Sequence, residues 1–156
     1  MLQNFKQLVE NFSPTSRVWY YLSDRPFDST ESDYIQTKID EFVTVNWKSH
    51  GAKLNATGIL LHNQLIVLSV DDSSLGASGC SIDSSVKFIK ELGTELKVDF
   101  FNRMYVLISN GEETQRVHIS DLSNYKNWNL LNPIVTTVQD VKDKGCIPVS
   151  ESELVR

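Results

Sequence analysis

The sequence predicts an α+β fold with an antiparallel sheet. Apolar residues alternate between strand-like and helix-like spacing in the order β-α-β-β-α-β, which is the ferredoxin-like split βαβ order. The dipeptide Asn110-Gly111 is a strong hairpin signal and adds a C-terminal hairpin strand, with short helices around it. The 156 residues, of which 40% are hydrophobic, suit a single domain over residues 1–156.

The chain begins with a predicted N-terminal helix within residues 1–14. Its apolar side chains recur at helical spacing, and Pro14 stops the pattern. Residues 17–23 follow and are aromatic, β-branched and apolar on both faces, as in a central strand. Within this strand we interpret Tyr20 as a packing residue.

A second helix is predicted from Asp28 to about residue 46. Asp28 and Glu31 have the spacing of a capping box, which marks a helix start. Residues 54–61 and 65–70 are then two strands of a hairpin.

Residues 71–83 form a polar loop that is long for a compact domain, and a third helix follows it. Residues 104–109 and 112–119 are the strands of the Asn110-Gly111 hairpin. We interpret Arg103, just before this hairpin, as a solvated or carboxylate-paired arginine. The last residues, 149–156, are polar and are expected to form a loose tail.

Charge and composition exclude several classes of function. The 15 basic and 20 acidic residues give a net charge of −5, which argues against nucleic-acid and anionic-membrane partners. No apolar run approaches the roughly 18 residues of a membrane span, and no secretory signal pattern opens the chain. Cys80 and Cys146 form no CxxC pair, so we expect a cytoplasmic protein with reduced thiols and no cofactor.

Nucleotide-binding and common hydrolase motifs do not occur. No glycine is followed by lysine, so the Walker A loop is missing, and no two glycines have the G-x-G spacing of a dinucleotide fold. The sequence therefore predicts that the protein is not an ATPase.

The clearest candidate site is the turn Ser78-Gly79-Cys80-Ser81 at the start of the third helix. Free backbone N–H groups and the helix dipole there favour a thiolate or a bound anion. The same residues also suit a purely structural role, since serine is a good N-cap and cysteine is often buried. We predict that Ser78, Gly79 and Ser81 bind a small anion or other ligand.

Three carboxylates belong to the same loop. Asp71, Asp72 and Asp83 supply the oxygen ligands that a divalent cation prefers, although a polar loop start explains them more simply. We include them among the ligand-binding residues and predict no metal.

The predicted topology brings a histidine to this loop. In the split βαβ order, the connection at 47–51 and the loop at 71–83 lie at the same end of the sheet, so His50 should lie near Cys80. A thiol enzyme would use Cys80 as nucleophile and His50 as base. The alternative for His50 is a histidine that caps helix carbonyls.

Two segments of the sequence resemble a known family. They are Trp47-Lys48-Ser49-His50-Gly51 and Ser78-Gly79-Cys80-Ser81-Ile82-Asp83-Ser84-Ser85, with Asp71 between them. They resemble small Bacteroidetes proteins whose members often bear the name "ABC transporter ATPase", over about residues 17–121. The missing Walker A lysine contradicts that name for this chain, and the resemblance implies no established reaction.

Three functions remain open from the sequence. The favoured one is a small binding or interaction domain with a ligand site at residues 71–83, and its partner would be a small anion or a protein. The others are a thiol enzyme and a scaffolding protein. The sequence does not indicate an oligomeric state.

Overall fold

A computed structural model describes residues 1–73 and 75–155. The helices are α1 (Gln3–Leu8), α2 (Ser29–Glu41), α3 (Gly79–Leu96) and α4 (Val138–Lys144). A π-helical turn (Phe42–Asn46) extends α2, and 3-10 helices occupy Ile119–Tyr125 and Val149–Glu151. The strands are β1 (Arg17–Leu22), β2 (Lys48–Ser49), β3 (Ala52–Lys53), β4 (Ala56–Leu61), β5 (Leu65–Val70), β6 (Tyr105–Ser109), β7 (Thr114–His118), β8 (Asn129–Leu131) and β9 (Cys146–Pro148). The predicted α+β class is confirmed.

The first sheet has the antiparallel strand order β1-β5-β4. β5 is buried along its whole length, which explains its continuous apolar sequence. β1 and β4 both run antiparallel to β5, so they point the same way, as the split βαβ order requires of its first two strands.

Helices α2 and α3 cover one face of this sheet. Their inward side chains, among them Ile39 and Ile89, join Ile66 and Leu68 of β5 in one buried cluster. A Cβ atom at Gly58 would lie 2.6 Å from Cγ2 of Ile39 and 2.7 Å from Cδ2 of Leu68. Glycine in β4 therefore lets α2 approach the sheet closely.

The opposite face of the sheet is covered from both ends of the chain. Phe5 and Val9 from the N-terminal segment pack with Val138 and Val141 of α4 against this face. All four side chains are buried. The N-terminal helix is thus part of the main core.

The fourth strand of the split βαβ pattern, β6, departs from that arrangement. It joins a second antiparallel sheet with the order β7-β6-β8-β9, and β1 keeps β5 as its strand neighbour in the first sheet. The hairpin turn pairs β6 with β7. In this turn the backbone N–H of Asn110 donates to the Glu113 carbonyl at 3.2 Å, and Gly111 has a φ of 95°. A separate buried cluster, which includes Ile108, Val117 and Leu130, stabilises this second sheet.

The two edge strands of the first sheet, β4 and β1, differ in how their outward backbone groups are hydrogen-bonded. Along β4, the side-chain amide of Gln36 accepts from the Leu60 N–H at 2.9 Å and donates to the Gly58 carbonyl at 3.3 Å. One side chain therefore caps that edge as a further strand would. On the side of β1 away from β5, the described residues pair only with its start: the Val18 N–H donates to the Thr136 carbonyl at 2.9 Å, and the Val138 N–H donates to the Ser16 carbonyl at 2.9 Å.

The expectation of a loose tail at residues 149–156 is wrong for the part that the structure describes. Val149 is fully buried, and Leu154 and Val155 pack against the core of the second sheet. The Val149 N–H donates to the Trp128 carbonyl at 2.9 Å. Few apolar residues suffice here because the second sheet offers a preformed apolar surface.

We predict that Val149→Ala lowers the free energy of unfolding by about 1.5–3 kcal/mol, because it removes buried methyl groups and leaves a cavity. The matched control is Ser150→Ala at the exposed neighbour, which should change it by less than about 0.5 kcal/mol. Urea unfolding measures both. Equal, small effects of the two substitutions would show that the tail contributes nothing to the core.

Candidate ligand-binding sites

The structure brings together the two segments that the topology argument placed at one end of the sheet. The indole Nε1 of Trp47 donates a buried hydrogen bond of 2.8 Å to the Ser81 carbonyl in the first turn of α3. Trp47 is itself fully buried and packs on Trp19 and Phe42. This hydrogen bond fixes the start of α3 against the 47–51 segment.

His50 and Cys80 are both exposed but are not linked. His50 lies between β2 and β3, with a left-handed φ of 52°, and Cys80 is the second residue of α3. Across residues 1–73 and 75–155, no hydrogen bond joins the imidazole to the thiol. The geometry therefore gives no direct support to a nucleophile–base pair.

The two loop serines are used within the helix cap. The Ser78 hydroxyl accepts from the Ser81 N–H at 3.3 Å, and the Ser81 hydroxyl accepts from the Ser78 N–H at 2.6 Å and donates to the Ser78 carbonyl at 2.8 Å. This is a capping box, and Ser81 is completely buried. The N–H groups of Gly79 and Cys80, at the first two helix positions, remain outside this network and lie on an exposed turn.

Asp71 and Asp72 bind the segment before β1. The Ser13 N–H donates to Oδ1 of Asp71 at 3.0 Å, and the Thr15 hydroxyl donates to Oδ2 of Asp72 at 2.8 Å. Burial raises the pKa of Asp71, but the hydrogen bonds from Ser13 and Ser73 outweigh it and hold that pKa below its ordinary value. These carboxylates thus brace the N-terminal segment.

Asp83 lies apart from that brace. It is exposed in α3 and borders the outer surface of the helix together with Lys87. In the part of the chain that the structure covers, no three His, Cys, Asp or Glu side chains are grouped as a metal site.

A second candidate site lies between the two sheets. It is a cleft of about 50 Å³ between β1 and β6, and apolar side chains form most of its wall. Its polar lining residues are Tyr20, Asn102, Arg103 and Tyr105. Its apolar lining residues are Leu22, Leu65, Phe100, Val106, Leu107, Leu131 and Pro133.

Tyr20 lines this cleft, and its buried hydroxyl has no hydrogen-bond partner among the described residues. Burial raises the pKa of Tyr20 above its ordinary value, and the nearby Cys146 raises it further. The phenol therefore stays protonated at neutral pH and can donate a hydrogen bond.

The unpaired part of β1 forms the same wall. The Ser23 N–H donates to the Gln64 carbonyl, whereas the Val18 N–H donates away from β5, to Thr136. Because neighbouring strand residues point in opposite directions, the backbone groups of Tyr20 and Leu22 also point away from β5. No strand among those described continues the pairing beyond Thr136.

Tyr105 on the opposite wall is held between two side chains of β7. The guanidinium carbon of Arg116 lies 3.6 Å from the centre of the Tyr105 ring, and the His118 ring meets it edge-on with centres 5.1 Å apart. The Arg116 Nε is buried and has no hydrogen-bond partner in the described structure. This stack positions the aromatic wall of the cleft next to a positive charge.

Sequence reasoning missed this cleft. The sequence predicts a packing role for Tyr20 and a solvated or carboxylate-paired side chain for Arg103, and the two residues are far apart along the chain. The only sequence signal is the pair of strands they border, and it becomes informative only once β6 is known to leave the first sheet.

Comparison with known proteins adds no relative to this description. Neither a family model, nor a curated protein, nor a solved structure matches the chain. Within the described residues, no helix has both the length and the apolar character needed to cross a membrane.

We predict that iodoacetamide alkylates Cys80 at the same rate, within about twofold, in the wild type and in His50→Ala, because no hydrogen bond links the two side chains. Peptide mass spectrometry at neutral pH separates Cys80 from Cys146, which serves as the internal control. Rapid alkylation of Cys80 that slows in His50→Ala, with Cys146 unchanged, would instead support the thiol enzyme.

Proposed function

We propose that this chain is a small ligand-binding domain whose ligand occupies the cleft between β1 and β6. The observation that carries the proposal is that Tyr20 lines the cleft and that its buried hydroxyl has no hydrogen-bond partner among the described residues. A buried polar group without a partner costs about 1–3 kcal/mol, so the group is explained if a ligand completes it.

The chemistry of the cleft supports binding over catalysis. The described residues that line it include no cysteine, histidine, serine or carboxylate, so they offer neither a nucleophile nor an ordinary general base. It combines apolar walls with a few polar groups, which is the usual composition of a ligand site.

A second candidate is the anion site at the start of α3 that the sequence suggested. The observation in its favour is the Ser49 hydroxyl, which has no hydrogen-bond partner in the described part of the chain and belongs to a residue only 1% exposed. Ser49 follows Trp47 by two residues, so both lie on the side of the extended segment that faces α3. The free N–H groups of Gly79 and Cys80 would bind the anion there.

We propose further that the domain acts in the cytoplasm. Cys80 and Cys146 are both exposed free thiols, a state that reducing compartments preserve.

Two single-donor variants test these sites against each other. Tyr20→Phe removes only the hydroxyl of the cleft-lining Tyr20, and Gly79→Pro removes only one N–H from α3, at a position where proline is tolerated and a Cβ meets no neighbour. A panel of small acids, amides, alcohols and inorganic phosphate is titrated by ¹⁵N NMR. We expect one chemical class to shift the cleft amides saturably, with binding at least about threefold weaker in Tyr20→Phe and unchanged in Gly79→Pro.

Weaker binding in Gly79→Pro, with saturable shifts at the start of α3 and no change in Tyr20→Phe, would show that the ligand binds at the start of α3 instead. The absence of saturable shifts at both sites, for every member of the panel, would contradict a small-ligand function for this domain.

A further inference from the structure

We infer that Cys146 and Met1 form a binding site for copper(I), a soft monovalent ion, with the Cys146 thiolate and the Met1 thioether as its two protein ligands. The inference goes beyond the proposed function and does not depend on the ligand of the cleft. Three observations lead to it: the contact between the two sulfur atoms, the packing that holds Met1 in place, and the exposure of the thiol.

The sulfur atoms of Cys146 and Met1 are in direct contact. Sγ of Cys146 lies 3.6 Å from Sδ of Met1, although 145 positions separate the two residues in the sequence. Two metal–sulfur bonds of about 2.3 Å that end on sulfurs this far apart meet at an angle of about 100°. This angle is close to the tetrahedral one, so the pair can bind one ion together and leaves room for a further ligand.

The fold holds Met1 beside the thiol before any metal binds. The Met1 carbonyl accepts a hydrogen bond of 3.0 Å from Nε2 of His62. The next residue, Leu2, is buried, and its Cδ1 would lie 2.7 Å from a Cβ atom at Gly145, the residue before Cys146. Glycine at this position therefore lets the N-terminal segment approach Cys146 closely. Ligands that packing already positions lose little conformational entropy on binding.

The ligand types select copper(I) among the common metal ions. Thiolate and thioether sulfurs are the soft ligands that copper(I) prefers, whereas calcium and magnesium take oxygen ligands. Zinc binds thiolate, imidazole and carboxylate, and a thioether is not among its ordinary ligands. The thiol loses its proton on binding, so the thiolate and the ion together are neutral. A neutral unit suits this position, because Met1 is partly buried and packs against an apolar cluster.

The same chain contains a matched thiol and a matched thioether. Cys80 and Cys146 are both exposed free cysteines. In the described part of the chain, no hydrogen bond reaches the Cys80 thiol, and the exposed thioether of Met104 has no thiol partner. The structure therefore predicts that the two thiols differ in their affinity for copper(I) and that the two methionines differ in their response to it.

The first experiment is an anaerobic titration of the full chain with copper(I), buffered by the chelator bicinchoninate, without added thiols. It compares the wild type with Cys80→Ser and Cys146→Ser. We expect Cys80→Ser to retain the wild-type affinity for the first copper(I) ion. Cys146→Ser should bind at least about tenfold more weakly, because its remaining thiol has no thioether beside it. Both thiols are exposed, so neither substitution should disturb folding, and thermal melting verifies this.

Methyl NMR then identifies the second ligand. In protein labelled with ¹³C at the methionine methyl groups, the two methionines, Met1 and Met104, give one signal each. We expect the first equivalent of copper(I) to shift the Met1 signal saturably and to leave the Met104 signal unchanged. The Met1 shift should disappear in Cys146→Ser. Zinc should leave both methyl signals in place, since it does not bind the thioether.

Equal copper(I) affinities of Cys80→Ser and Cys146→Ser would overturn the inference, because the thioether would then contribute nothing. An unshifted Met1 signal at saturation would overturn it as well. A shift of Met1 by zinc as large as that by copper(I) would contradict the selection of a soft ion. An affinity that rises with protein concentration would show that thiols of two chains share the ion instead. The cleft titration tests the proposed function separately, so either can fail without the other.

Discussion

One constraint shapes the molecule: β6 cannot complete two sheets at once. Its hairpin with β7, closed at Gly111, and its pairing with β8 commit it to the second sheet. The outer edge of β1 then pairs with Thr136 at its start. Further along, no strand among those described pairs with it. Unpaired strand edges are usually capped, as Gln36 caps β4, so an open stretch inside the molecule calls for an explanation.

The cleft is a direct consequence of this divided architecture. One wall is the open edge of β1, and the other is β6 with the residues that precede it. Tyr20, on the first wall, has a buried hydroxyl without a partner among the described residues, and Arg103 contributes a charge from the second wall. By contrast, most of the polar side chains before α3 are already used in hydrogen bonds within the fold. Ser78 and Ser81 cap α3, and the two aspartates after β5 bind residues 13–16, which links the N-terminal core segment to the sheet.

Local signals in the sequence predicted much of the fold. The capping box at Asp28, the apolar run of β5 and the Asn110-Gly111 turn each depend on neighbouring residues, so each could be read correctly. Which strands pair with β6 depends on long-range contacts with one sheet or the other, and no local sequence pattern indicates those contacts. For the same reason, the contact of Tyr20 and Arg103 with one cleft was not visible, and a single valine, Val149, did not reveal that the tail packs. The relation between the 47–51 segment and the start of α3 was predictable because it follows from the order of the first three strands.

The open edge of β1 is the central claim, and native-state hydrogen exchange of its amides tests it most directly. The amides of Val18 and Tyr21 have partners on Thr136 and β5, whereas those of Tyr20 and Leu22 do not. After correction for intrinsic rates, the account predicts that Tyr20 and Leu22 exchange at least about tenfold faster than Val18 and Tyr21 in the ligand-free protein. Equal protection of all four amides would contradict it, because it would mean that another part of the chain pairs with this edge.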